Sequence, residues 1–120
     1  MLRVGVDLID IARVDQAAAR HGEYFFRRFF TAAERDLCGE RIERMAARIA
    51  AKEAVAKALG TGIGDVRWVD IEILNDARGR PVLRLYGSAA LLAESLGLRE
   101  WDLSLSHTAT QAVAYVCALG

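Results

Sequence analysis

Apolar and polar positions change period several times along the chain, and each change marks an element. Leu2 to Val6 is a short β-branched run that predicts a buried strand, closed by Asp7. Ile11 to His21 reads as a helix, with Asp10 as its cap and Gly22 as its stop. Tyr24, Phe25, Phe26, Phe29 and Phe30 then form an aromatic cluster suited to the core or to a subunit contact. Thr31-Ala-Ala-Glu34 has the spacing of a capping box and predicts a short helix ending near Gly39.

The stretch Arg44 to Gly62 organises the rest. It is rich in Ala, Arg, Leu and Lys and free of Pro, so propensity alone makes it helical. Its alanines spread around most of the circumference, which predicts a helix packed on several sides rather than one. Arg44, Arg48 and Lys52 fall in one row, and Glu53 and Lys57 in a second, flanked by small residues. Gly60-Thr61-Gly62-Ile63-Gly64 follows this helix, whereas phosphate-cradling loops precede one, so helix termination is its primary reading.

Beyond it, Trp68 to Leu74 and Val82 to Tyr86 alternate as two strands of a hairpin, joined by turn residues from Asn75 to Pro81. Ser88 caps a helix to about Leu96, ended by Gly97, with Leu91, Leu92 and Leu96 toward the sheet. Trp101 to His107 sets Trp101, Leu103 and Leu105 on one face of a strand, and Asp102, Ser104 and Ser106 on the other. After a turn at Thr108 to Thr110, Gln111 to Leu119 returns as a buried strand. Without regular βαβ alternation, the class is α+β: a mostly antiparallel sheet packed against a long central helix.

Composition narrows the partners. A length of 120 residues fits one domain over 1–120, and 53% hydrophobic content favours a homo-oligomer that covers the excess. With 16 basic and 16 acidic side chains, non-specific nucleic-acid binding is not its main task. Cys38 and Cys117 have no metal-ligand spacing and read as reduced thiols. Neither a signal-peptide pattern nor a membrane span is found, so a cytoplasmic protein is expected.

Few ionisable groups are placed for chemistry. Glu53 and Lys57, at i, i+4, read either as an ion pair or as a metal ligand or base beside a phosphate contact. Asp7 is either a strand-end turn residue or a second metal ligand, and His107 either a turn histidine or a functional one. Arg13 and Arg20 share a helix face, with Arg27 and Arg28 close behind. They are solvated charges or a docking patch for an acidic partner. Ser106 and His107 are adjacent in a strand, point to opposite faces, and make no nucleophile–base pair.

Taken together, Val4-Gly5-Val6-Asp7 with Arg13, Phe30-Thr31-Ala-Ala-Glu34, Arg48-Ile-Ala-Ala-Lys52-Glu53-Ala54 with Lys57, Gly60-Thr61-Gly62 and Ser104-Leu-Ser106-His107 closely resemble the holo-[acyl-carrier-protein] synthases. These are the short, single-domain 4'-phosphopantetheinyl transferases, and the resemblance covers nearly the whole chain. It implies that family's α+β fold and trimeric state, with active sites between subunits. It also implies Mg²⁺-dependent transfer of the 4'-phosphopantetheine arm of coenzyme A to a serine of apo acyl carrier protein, releasing adenosine 3',5'-bisphosphate. Asp7 and Glu53 would hold Mg²⁺, while Arg48, Lys57, His107 and Gly62 would contact the nucleotide. Glu53, Lys57 and Asp7 form the implied catalytic set, with Glu53 as base directly or through water. Arg13 and Arg20 would meet the acidic carrier protein. Ala47 stands where the family often has glycine and Ile49 where it has an aromatic, departures that bear on coenzyme A fit rather than reaction class. The competing readings are a Mg²⁺-dependent nucleotide hydrolase using the same carboxylates, and a trimeric binding module of this fold without the chemistry.

Overall fold

The structure is a computed structural model describing residues 1–120. Its first strand, β1 (Leu2–Asp10), is longer than the sequence reading, and Asp7 lies within it rather than closing it. Strand period explains the difference. Gly5, Asp7 and Ile9 face inward, while Leu2, Val4, Val6 and Leu8 alternate with them on a solvent face. Helix α1 (Ile11–His21) follows directly, stopped at Gly22 as expected, but Asp10 makes no capping bond to it. The Asp10 carboxylate instead accepts from Gln111 Nε2 at 3.3 Å.

Helix α2 (Glu23–Phe29) was not foreseen, because its run of aromatics hides any one-sided pattern. Phe25 is buried at its centre, with Phe26, Phe29 and Phe30 around it. Helix α3 (Ala32–Cys38) opens on the expected capping box and ends at Gly39. The central helix α4 (Ile42–Leu59) ends at Gly60, whose φ of 82° is the left-handed cap predicted for it.

A short 3-10 turn over Trp68–Asp70 replaces the start of the expected hairpin. Strands β2 (Ile71–Asn75) and β3 (Pro81–Leu85) then pair antiparallel as a separate two-stranded sheet. Helix α5 (Gly87–Ser95) starts after Tyr86 rather than on a Ser88 cap. Its Ala89 and Ala93 are buried, whereas Leu91, expected to face the sheet, is 68% exposed. Strands β4 (Glu100–His107) and β5 (Gln111–Leu119) complete a three-stranded antiparallel sheet in the order β1-β5-β4.

Helix α4 packs against the inner face of that sheet. Ala46, Ala50, Ala51, Ala54, Val55 and Ala56 expose no surface, as a many-sided apolar helix requires. The outer face of the sheet has no such cover. β5, predicted to be buried, alternates: Ala112, Ala114, Val116 and Ala118 are buried, while Tyr115 and Leu119 stand exposed beside Val6 and Leu2. The expected class, α+β with an antiparallel sheet against a long helix, holds.

Candidate active site

The site begins where β1 crosses α4. A Cβ built on Gly5 would lie 1.9 Å from the Ala54 carbonyl oxygen, so only glycine allows this approach. Two residues along the same face, Asp7 arrives beside the Glu53 and Lys57 row of the helix. Lys57 Nζ donates to the Val6 carbonyl at 2.9 Å and to Asp7 Oδ1 at 3.2 Å. The Asp7 side chain is 20% exposed and that of Lys57 52%, so the pair sits at the rim of the site.

Glu53 shares a cavity of about 460 Å³ with Asp7 and Arg13, walled by Val14, Ala17, Phe25, Phe29 and Ile49. Partial burial, and secondarily the neighbouring Asp7 carboxylate, push its carboxyl above the ordinary value, while Lys57 opposes this. No protein group hydrogen-bonds to it. The structure thus brings together Asp7, Glu53, Lys57 and Arg13. Arg20 lies next to them, lining a smaller hollow that shares Arg13 and Ala17. A further groove is lined by Arg27, Arg28, Arg67, Gly64 and Trp68. No local sequence signal links Arg67 to helix α2, and only the fold brings them to one groove.

A divalent cation can be tested against this donor set. Two carboxylates converge, one of them free of protein donors, and no third His, Cys, Asp or Glu joins them. Such a half-built shell fits Mg²⁺, which keeps several waters and takes its remaining oxygens from substrate phosphates.

Three expected nucleotide contacts lie elsewhere within the chain. Arg48 is about 140° around the helix from Glu53, buried at 4% exposure, and committed to β2. Its Nε donates to the Ile73 carbonyl at 3.2 Å and a terminal nitrogen to Asn75 Oδ1 at 3.0 Å. This corrects its grouping with Lys57: a guanidinium taken out of water needs acceptors, and the β2 edge supplies them. His107 is exposed at the end of β4, on the far side of β5 from β1, with Nδ1 3.2 Å from the Thr108 carbonyl. Gly62, with φ of 74°, donates its N–H to the Ala56 carbonyl at 3.3 Å as part of the helix stop.

Lys52 shows most clearly what the sequence reading missed. Its ammonium is wholly buried and donates to Glu34 Oε1, the Trp68 carbonyl and the Ile71 carbonyl. Glu34 also accepts from Ile73 N, so the capping-box glutamate doubles as a buried counter-ion. The available signal was a lysine flanked by alanines on a many-sided apolar helix.

Residues 3–117 match the family model of the 4'-phosphopantetheinyl transferase superfamily. The chain is 48% identical to a holo-[acyl-carrier-protein] synthase of Herpetosiphon aurantiacus, covering 100% of both chains. It is 49% identical to the synthase of Desulforudis audaxviator, covering 100% of this chain and 94% of that one. Among solved structures, the Helicobacter pylori holo-[acyl-carrier-protein] synthase in complex with coenzyme A superposes with a TM-score of 0.89. It shares 30% identity, with 97% of this chain and 99% of that one covered.

Proposed function

Because the chain belongs to the 4'-phosphopantetheinyl transferase superfamily, we propose a role for each of its site residues in the reaction it performs. That reaction is transfer of the 4'-phosphopantetheine arm of coenzyme A to a serine of apo acyl carrier protein, giving the holo carrier and adenosine 3',5'-bisphosphate. The observation that carries the assignment is the convergence of Asp7, Glu53 and Lys57 where β1 crosses α4.

Asp7 and Glu53 are the residues that would hold Mg²⁺, whose chemistry is to neutralise the charge of the pyrophosphate being split. Displacement at phosphorus needs alignment and charge compensation more than covalent help. Lys57 supplies a positive charge at the rim of the cavity, where it can meet a phosphate oxygen. Glu53, held above the ordinary carboxyl value, takes the proton from the attacking serine hydroxyl. Val14, Phe25, Phe29 and Ile49 keep the floor beside these groups apolar, which strengthens every charge interaction there.

The acidic carrier protein docks on Arg13 and Arg20 of α1. Both are exposed, and Arg13 reaches the cavity of the reacting groups, so a carrier seated there presents its serine to Glu53. We further propose a homotrimer formed through the outer face of the β1-β5-β4 sheet. Leu2, Val4, Val6, Leu8, Tyr115 and Leu119 are each about half or more exposed there, an apolar surface that a lone protomer leaves in water. Active sites between subunits would let His107 and Gly62 of one protomer contact the nucleotide held by another. Residues 1–120 act as one transferase domain, working in the cytoplasm. Two free cysteines suit that setting, and no helix is long and apolar enough to cross a membrane.

The test is the intact mass of an apo acyl carrier protein incubated with the enzyme, coenzyme A and Mg²⁺, with and without EDTA. A gain of one phosphopantetheine arm, abolished by EDTA and by Asp7→Ala, is expected. A gain that survives both would overturn the metal assignment.

A further inference from the structure

Only two lysines occur in the chain, Lys52 and Lys57, among 16 basic side chains. Lys52 is sealed inside, so Lys57 carries the one side-chain ammonium that meets solvent. It does not point freely outward. It bridges the Val6 carbonyl and Asp7 Oδ1, setting its positive charge directly against the Asp7 carboxylate. Glu53, the other carboxylate, receives no such bond.

We propose that Lys57 is the internal placeholder of the cation site. In the cation-free enzyme its ammonium neutralises Asp7 and keeps β1 and α4 in working register. When a divalent cation takes the Asp7 carboxylate, the ammonium is expelled and turns to the phosphate side of the cavity. This rests on the assignment of Asp7 and Glu53 as the metal-holding residues.

The physical basis is that an ammonium and a divalent cation held on one carboxylate repel each other across a few ångströms, and most strongly where they would share Oδ1. Val6 and Asp7 lie on one side of Lys57, and its long flexible stem lets the head move without moving the helix. Cation and lysine therefore compete when the substrate is absent. They cooperate only when a phosphate is there to receive the lysine. Divalent cation binding without coenzyme A should then be weak, and its weakness should trace to Lys57.

The experiment uses the whole enzyme labelled with ¹³C at lysine Cε, which gives two lysine signals, and titrates Mg²⁺ without coenzyme A. The Lys57 signal is expected to shift with saturation while that of Lys52 stays still, and Asp7→Asn should place the Lys57 signal near its cation-bound position from the start. In parallel, Mn²⁺ binding is measured by water relaxation. Lys57→Met should bind Mn²⁺ about two- to five-fold more tightly than the parent, the worth of one partly exposed ion pair. Cation binding that leaves the Lys57 signal unmoved, or binding no tighter in Lys57→Met, overturns the placeholder role alone. No cation binding by either protein, even with coenzyme A present, overturns the assignment of Asp7 and Glu53 as well.

Discussion

Lys52 and Glu34 meet at 2.7 Å with neither side chain exposed to solvent. The pair fastens the back of α4 to α3 and β2, one residue away from Glu53 of the candidate site. Burial pushes the ammonium below its ordinary value, and Glu34 opposes this. Lys52→Met leaves a buried carboxylate without its cation and should cost about 3–5 kcal/mol. Glu34→Ala should cost at least as much, since Ile73 N and Thr31 N lose their acceptor too. Urea unfolding of both variants, and of Lys52→Met combined with Glu34→Gln, checks this: the double variant should lose clearly less than the sum of the single ones.

The raised carboxyl of Glu53 sets a pH dependence of stability. Folding favours its protonated form, so the associated stability is present below the ordinary carboxyl value and is lost as pH rises through the higher folded-state value. Glu53→Gln removes the charge and should stabilise the cation-free protein at neutral pH by about a few tenths of a kcal/mol, solvent screening keeping the gain small. Below about pH 4 the two proteins should coincide. Denaturation with EDTA at both pH values measures the difference, and an equal gain at both would contradict the argument. The same substitution should lower turnover by about 10²–10⁴.

Gly5→Ala tests how far the site depends on one backbone contact. A methyl group 1.9 Å from the Ala54 carbonyl forces β1 away from α4, and Asp7 with it. A loss of about 1–3 kcal/mol is expected. Turnover of the protein that remains folded should fall about tenfold or more, because displacements near 1 Å are costly in a positioned site. Full turnover per folded molecule would show that Asp7 is placed by other contacts.

Val6 and Tyr115 are register partners on the uncovered sheet face. Val6→Asp should leave the protomer folded, since the side chain already meets water; if the proposed trimer forms through this face, the variant should be monomeric and inactive. Light scattering with a carrier-modification assay reads both. A variant that stays trimeric would place the interface elsewhere.

Much of this architecture was readable because local rules and tertiary structure agreed. The capping box at Thr31 and Glu34, the stop at Gly60 and the alternation from Trp101 to His107 all appear as the residues demand. Asp7 and Glu53 were legible as candidates, but their meeting was not, because it depends on a strand crossing a helix at Gly5. Arg48 was misplaced for a related reason, and the burial of Lys52 was not foreseen. Their spacing puts them in one charged row, and only the fold shows that β2 and α3 cover that row with acceptors. The sequence reading takes the outer face of β1 and β5 as buried from its apolar content, which cannot tell a core face from an exposed apolar one.

The register of the main sheet also bears on how the molecule forms. β1 pairs only with β5, so Leu2 faces Leu119 and Asp10 faces Gln111 across nearly the whole sequence. Contacts of such wide sequence separation close slowly, since the loop entropy is lost before the pairing is gained. Because β1 is synthesised before β5, it waits for that partner, and until then its edge lacks a pairing strand. The crossing of β1 and α4 therefore gains its full sheet support only when β5 is available to pair with β1.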